Sequence, residues 1–123
     1  MSLAALLIVA TCTSQPEAAF DKFKVAFSAA LQVAAPGYSN IVTMEKELDW
    51  KAVTYRGPKG LQTKVRLAWV CAAPDEEIVH VARHEVCHIR LHLPRMISKI
   101  PLSDEERARM ENEAEICVML TQW

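Results

Sequence analysis

The spacing of apolar residues along the chain predicts three helices. In each of them an apolar side chain recurs every three or four positions, which is the period of an amphipathic helix. A capping box that begins at Ser14 opens the first, Asp75 is the predicted N-cap of the second, and a capping box that begins at Ser103 opens the third. Pro36 and Pro94 follow the apolar patterns of the first two predicted helices, and proline ends a helix because it lacks a backbone hydrogen-bond donor. The predicted ranges are 15–34, 75–92 and 103–120.

The stretch between the first two helices has the pattern of a small sheet. Residues 41–48 predict a short strand, and two β-rich stretches, 50–56 and 61–71, flank the sequence Gly57-Pro-Lys-Gly60. Because glycine and proline in a four-residue connection favour a tight turn, these two stretches predict a β-hairpin. In the second stretch the odd-numbered residues share one face, as expected for a strand with one side in the core.

Length, composition and charge restrict the class of protein. The chain has 123 residues, of which 51% are hydrophobic and 24% are charged, so we expect one α+β domain over residues 1–123 rather than a disordered chain. Its 14 basic and 15 acidic residues leave a formal net charge of −1. Since no excess of positive charge is present to attract phosphates, nucleic acid is not an expected partner.

The four cysteines, Cys12, Cys71, Cys87 and Cys117, stand apart from one another and form no C-x-x-C pair. This spacing excludes a zinc ribbon and a thioredoxin-type site. Because a chain of this length can be stabilised by its own core, we expect reduced thiols and a cytoplasmic location.

An apolar run, Leu3–Ala10, lies at the N-terminus. It is too short to cross a membrane as a helix, which takes about 20 residues. We expect it to pack into the fold, because no basic residue precedes it and Thr11 is bulky for the position before a lipid-acceptor cysteine. The alternative is a secretion signal, in which case the protein would be exported or lipid-anchored through Cys12 and the membrane would be a partner.

The sequence His84-Glu-Val-Cys-His88 is an H-E-x-x-H motif within the second predicted helix, a motif that chance produces only about 0.01 times in a chain of this composition. Histidines four residues apart project from one face of a helix, so both imidazoles can bind one metal ion. Glu85 lies beside them, where a carboxylate can take a proton from water. Because the helix is mostly apolar, these three side chains would be costly without a partner. The motif predicts a Zn²⁺ site with His84 and His88 as ligands and Glu85 as general base.

The third zinc ligand must come from elsewhere, and the last predicted helix offers Glu111, Glu113 and Glu115. At about 100° per residue, Glu113 falls in the middle of an apolar face, while the other two glutamates point towards solvent. That face consists of Met110, Ile116, Cys117 and Leu120. Glu113 is therefore the predicted third ligand, and the alternative is a glutamate at the core edge paired with Arg109.

These motifs resemble the gluzincin branch of zinc metallopeptidases, in which a glutamate on a later helix follows H-E-x-x-H. Asn112-Glu113-Ala114 resembles the N-E-A sequence of that branch, and residues 84–92 and 111–120 are similar to the corresponding stretches of ImmA/IrrE-type peptidases. In size the chain resembles the minigluzincins. The resemblance implies a zincin-like fold, in which a helix packs on a small, mostly antiparallel sheet and two metal-bearing helices lie below a cleft.

The resemblance also implies an activity, the zinc-dependent hydrolysis of peptide bonds in a peptide or protein substrate. It implies the same roles for the motif residues and for Glu113, and it implies that a strand at about 65–71 is the edge along which an extended peptide aligns. The chain departs from the family pattern at two positions. Glu115 stands where the ImmA/IrrE pattern prefers asparagine, and Cys117 stands where thermolysin-like members keep an aspartate that orients a ligand histidine.

Two other functions stay open at this point. One is a metal-binding regulatory or interaction module with little proteolytic activity, and the other is a latent protease blocked by its N-terminal segment. Peptide hydrolysis also requires a donor for the oxyanion, and the sequence does not choose among several. These are Tyr38, Tyr55, Arg56 and His92. We expect His92 to form a hydrogen bond at the edge of the site or to cap the helix, and His80 to be structural.

Overall fold

A computed structural model of the chain describes residues 15–123, which form a three-stranded sheet and four helices. The mixed α+β class is confirmed. Ser14, Cys12 and the apolar run Leu3–Ala10 lie outside the described residues, so the predictions made for Cys12 and for Leu3–Ala10 stay predictions. The N-cap of the first helix is Gln15, without a side-chain hydrogen bond, so the capping box predicted to begin at Ser14 is wrong. The elements in chain order are α1 (Pro16–Ala34), β1 (Ile41–Glu45), β2 (Ala52–Gly57), β3 (Gly60–Arg66), α2 (Leu67–Ala72), α3 (Asp75–Met96) and α4 (Asp104–Leu120).

Helix α1 supplies one wall of the main core. Its first turn contains Pro16, and its buried side chains recur at the predicted helical spacing. The ring of Phe23 meets the indole of Trp69 edge to face, with 6.3 Å between ring centroids. The main core consists of Ala19, Phe23, Phe27, Ala30, Ala34, Ala35, Val65, Trp69, Val70, Ile78, Ala82, Val86 and Ile89.

The sheet has the strand order β1–β3–β2. The predicted hairpin is confirmed, since β2 and β3 pair antiparallel with Gly57 opposite Gly60, and Gly60 has a φ of 112° that favours glycine. Strand β1 pairs with β3 in parallel, so the sheet is mixed and the predicted antiparallel pairing holds for the hairpin alone. Because β3 is paired on both sides, it is not the edge strand implied for residues 65–71. The edge next to α3 is β2.

The second strand of the hairpin is shorter than predicted. It ends at Arg66, and the rest of the predicted stretch forms α2. The alternating pattern holds for Thr63 and Val65, which are fully buried. It fails in α2 because Trp69, Val70 and Cys71 are all buried, and a strand would turn one of these consecutive side chains to the opposite face.

Helix α3 is longer than predicted, because it continues through Pro94 to Met96. The lost backbone donor of Pro94 would have bonded to the carbonyl of Arg90, which lies on the exposed side of the helix where water can satisfy it. Pro74 is the N-cap, so Asp75 lies in the first turn instead. Helix α4 begins as predicted, because the Ser103 hydroxyl accepts a hydrogen bond of 3.1 Å from the Glu106 amide.

Helices α3 and α4 are joined covalently by a disulfide between Cys87 and Cys117. The prediction of reduced thiols is therefore wrong, and none of the three described cysteines is a free thiol. Beside this disulfide, Ala114 and Val118 form a small apolar cluster with Cys87 that is separate from the main core. Over residues 15–123, none of the helices has the length and apolar character needed to cross a lipid bilayer.

Candidate metal centre

The two motif histidines lie one turn apart on the side of α3 that faces α4. Both are buried, and their Nε2 atoms are 3.1 Å apart. The rings meet edge to face, with 4.7 Å between centroids. The spacing predicted from H-E-x-x-H therefore brings the same nitrogen of both rings to one point.

Glu111 on α4 brings its carboxylate to that point. Its Oε2 atom is 2.8 Å from Nε2 of His84, and its Oε1 atom is 3.0 Å from Nε2 of His88. These two hydrogen bonds hold the pKa of Glu111 well below its usual range. Two imidazole nitrogens and one carboxylate thus converge, which is a donor set that suits zinc.

Glu113, the predicted third ligand, is not brought to the histidine pair. Its Oε1 atom lies 3.3 Å from Nε2 of His92 and 3.9 Å from Nε of Arg109, so the alternative of an arginine-paired glutamate describes it better. The predicted orientation of the three glutamates is therefore wrong.

The reason for this error is the rotation of α4 about its axis. Ile116 and Leu120, which the prediction placed in the buried face, are 46% and 77% exposed. The buried residues follow a spacing of four: Met110, Ala114 and Val118. At about 100° per residue, the centre of that face lies about 100° from Glu113, and Glu111 flanks it on the side of the histidines.

The second glutamate on this side of α4 is hydrogen-bonded to a candidate ligand histidine. Oε1 of Glu115 is 2.8 Å from Nδ1 of His84, and its Oε2 is 2.9 Å from Nε2 of His80. An ionised carboxylate only accepts, so Nδ1 of His84 carries the hydrogen. Glu115 is therefore placed to orient the His84 ring.

His92 performs the corresponding role for the other histidine, and its predicted hydrogen bond at the edge of the site is confirmed. Its Nδ1 atom is 3.0 Å from Nδ1 of His88. Burial, together with the proximity of His88, lowers the pKa of His92, which favours the neutral ring. Because Nε2 of His92 donates to Glu113, its Nδ1 must accept from His88.

These outer hydrogen bonds leave the lone pairs of both ligand nitrogens directed inwards. With the hydrogen on Nδ1 in His84 and in His88, each Nε2 directs a lone pair towards the other Nε2 and the Glu111 carboxylate, so the hydrogen bonds to Glu111 require an additional proton on these nitrogens. Such a group of acceptors needs a cation. A proton is one solution: burial alone would lower the pKa of His84, but the hydrogen bond to Glu111 and the nearby carboxylates raise it.

A divalent metal ion is the other solution, and the spacing of the three donor groups fits it. Tetrahedral zinc with bonds of about 2.0–2.1 Å keeps its ligand atoms about 3.3 Å apart. The two Nε2 atoms are 3.1 Å apart, and each lies 2.8 or 3.0 Å from a different oxygen of Glu111, so all three contacts are shorter than this value and the group must open slightly to admit the ion.

Glu85 lies beside the histidines but does not join the Glu111 contact. Its ligand atom lies within 4.8 Å of those of His84 and His88, and its side chain is buried. Burial raises the pKa of Glu85, while the hydroxyl of Thr54 donates a hydrogen bond of 2.8 Å to its Oε1. The result is a buried carboxylate of increased basicity at the edge of the metal centre.

A cleft of about 270 Å³ opens between β2, α3 and α4 at this point. Glu85, His88 and Glu111 lie on its wall, and Arg107 is a cation on the same wall that the sequence did not single out. Most of the remaining lining is apolar, from Trp50, Ala52, Val53, Met96, Leu102 and Met110. The cleft therefore gives a ligand larger than water access to the site.

The proposed oxyanion donors are not gathered in this cleft. Tyr38 and Arg56 border a different cavity, between the β2–β3 turn and the end of α3. His92 is held between His88 and Glu113. Tyr55 is not among the residues that line the cleft. Of the described cations, Arg107 is the one on its wall.

No protein-family model, no curated protein and no solved structure matches the chain at a significant level. The resemblance to the gluzincins stays a prediction that rests on the motifs within residues 84–120.

Proposed function

We propose that the chain is a zinc-dependent metallopeptidase on a zincin-like domain, with His84, His88 and Glu111 as metal ligands and Glu85 as general base. The observation that carries this proposal is the convergence of two histidine lone pairs and one carboxylate, with a second, buried carboxylate beside them. When bound, a zinc ion would polarise the scissile carbonyl and lower the pKa of the attacking water.

Glu85 has the properties that proton transfer requires. It is buried, its pKa is raised by that burial, and it lies at the wall of the cleft next to His88. A carboxylate whose pKa is raised is a stronger base, and it can take a proton from the attacking water and return it to the leaving amine. Glu85 is therefore the base, and the ligand set is complete without it.

An extended peptide is the substrate that fits the shape of the cleft. Strand β2 is an edge strand, so its outer backbone groups can pair with an added strand, and Thr54 in its middle contacts Glu85. The apolar lining from Trp50, Met96 and Leu102 can bury an apolar side chain of such a peptide.

The Cys87–Cys117 disulfide favours the exported alternative over a cytoplasmic location. Disulfides persist in oxidising compartments, and the cytoplasmic expectation depended on reduced thiols. We therefore propose that the protein acts outside the cytoplasm.

The test compares the parent protein with Glu85→Gln, which keeps the shape of the side chain. We expect one zinc ion per chain in both proteins by elemental analysis and nearly equal thermal stability. Hydrolysis of casein or of a peptide library should fall by about 10²–10⁴-fold in the variant, and a chelator should abolish it in the parent.

Two outcomes contradict this proposal. Equal rates in the parent and Glu85→Gln would show that Glu85 is not the base. If both proteins hold zinc and neither cleaves any peptide, the metal-binding module is the better description.

A further inference from the structure

A chain of side-chain hydrogen bonds crosses the sheet and ends on Glu85. Nδ2 of Asn40, directly before β1, is 3.0 Å from Oγ1 of Thr63 in β3. Oγ1 of Thr63 is 2.8 Å from Oγ1 of Thr54 in β2, and Oγ1 of Thr54 is 2.8 Å from Oε1 of Glu85 in α3. The two threonines are register partners in the hairpin, so the sheet itself sets their contact.

The direction of every bond in this chain follows from the donor and acceptor inventory. In the ionised form that a general base requires, the Glu85 carboxylate only accepts, so the single hydroxyl hydrogen of Thr54 is donated to Glu85. Thr63 must then donate its own hydrogen to Thr54, and its oxygen accepts from the amide of Asn40. All three donors therefore point towards Glu85, and aligned hydrogen bonds strengthen one another.

These hydrogen bonds lie largely inside the protein, where a polar group needs a partner. Thr63 is fully buried in the central strand of the sheet, where an apolar β-branched side chain would also fit. A hydroxyl at such a position is costly unless it is bonded, and both of its bonds lead along this chain. The core thus contains a polar path whose one ionisable end is the proposed base.

We propose that Thr54, supported by Thr63 and Asn40, is a positioning residue that holds Oε1 of Glu85 so that Oε2 is the oxygen that exchanges protons in the cleft. This inference rests on the proposed peptidase function for its kinetic consequence. Its structural part, a Glu85 side chain fixed by Thr54, does not depend on catalysis or on zinc.

The test uses Thr54→Val, which keeps the β-branched shape and removes the hydroxyl, in the full chain loaded with zinc. We expect kcat to fall by about 10–100-fold, with KM and zinc content unchanged, because a small misplacement of a catalytic group has an effect of this size. Thr54→Ser keeps the hydroxyl and should restore kcat to within a few-fold of the parent. Thr43→Val is the matched control, since Thr43 is an exposed threonine of β1 that takes no part in the hydrogen bonds leading to Glu85.

A second measurement needs no activity. Methylene relaxation in the NMR spectrum of Glu85 should show a more mobile side chain in Thr54→Val than in the parent, Thr54→Ser and Thr43→Val. A Glu85 side chain equally ordered in Thr54→Val overturns the inference, and so does an unchanged kcat in an active parent background. If the parent holds zinc but cleaves nothing, the proposed function fails while the relaxation measurement still decides this inference.

Discussion

The two sides of helix α3 are stabilised in different ways. The side that faces α1 and the sheet contributes Ile78, Ala82, Val86 and Ile89 to the main core. The side that faces α4 carries His84 and His88, and the apolar cluster there contains only Cys87, Ala114 and Val118 as buried members. Apolar burial holds the first interface, whereas a disulfide, an ion pair and a convergent donor set hold the second.

This difference shows how one helix can combine stability with a reactive site. Close apolar packing excludes water and polar ligands, so a metal centre cannot be built on the side of the main core. On the α4 side, the thin apolar cluster leaves space for the cleft, and cross-links replace the missing buried area. Interfaces with few apolar contacts open at lower free energy, so we expect α4 to detach from α3 at a lower free energy than α1 does.

Removal of the disulfide should produce the largest difference in stability between the two interfaces of α3. The pair Cys87→Ala/Cys117→Ala removes a cross-link between residues 30 positions apart, and a loop of that length corresponds to about 3–4 kcal/mol of unfolding free energy. We expect this loss in denaturant unfolding of the metal-free protein. Native-state hydrogen exchange should show faster exchange in α4 than in α1.

Equal exchange rates for the amides of α1 and α4 in this variant would contradict the different stability of the two interfaces. That result would mean that the chain opens as one unit and that the apolar side of α3 has no separate stability.

Substitution of Glu111 or Glu113 in α4 tests which carboxylate binds the metal in the proposed site. Glu111→Gln should weaken zinc binding by about 100-fold, because the amide removes the negative charge between His84 and His88. Glu113→Gln, a matched change two residues further along the same helix, should weaken it by less than about tenfold, since Glu113 acts only through His92. Competition with a chromogenic chelator measures both dissociation constants. A larger loss of zinc affinity in Glu113→Gln than in Glu111→Gln would support Glu113 as the third ligand, as predicted from the sequence.

Local signals in the sequence predicted the fold well where a short stretch decides the outcome. The proline in the first turn of α1, the capping box at Ser103 and the Gly57–Gly60 turn each act within a few residues, and all three are confirmed. The prediction failed where the rest of the fold decides. Val70 is fully buried in the main core, where α1 packs against this segment, and the end of the predicted strand forms α2. Pro94 is accommodated because its turn faces solvent.

The residues of the candidate site also fall into those that local sequence predicts and those that the rest of the fold decides. His84, Glu85 and His88 could be predicted because one helix sets their spacing, and the structure brings them together. The third carboxylate depends on the rotation of α4 against α3, which no local pattern sets. A signal was nevertheless present: histidines recur every fourth residue from His80 to His92, and Glu111 and Glu115 repeat the same spacing on the following helix.

The smallest effect concerns the ion pair at the far end of the α3–α4 interface. Nε and Nη2 of Arg95 donate to the two carboxylate oxygens of Glu106 at 2.7 and 2.8 Å, and Nη1 donates to the carbonyl of Ile100 at 2.8 Å. The hydrogen bonds from Arg95 lower the pKa of Glu106, so this contribution to stability is present above the unfolded-state pKa of about 4.3 and is lost as the pH falls through the folded-state value.

Arg95→Met should therefore lower the unfolding free energy of the metal-free protein at pH 7, and the difference from the parent should shrink at pH 3. Part of the difference should persist in acid, because the bond from Arg95 to the Ile100 carbonyl does not depend on the ionisation of Glu106. Arg109→Met is the matched control, since Arg109 is 66% exposed and 3.8 Å from the same carboxylate, and it should change little at either pH. Urea unfolding at the two pH values measures the effect. A difference that stays constant between pH 7 and pH 3 would show that Arg95 stabilises the interface through the backbone carbonyls and not through the carboxylate of Glu106.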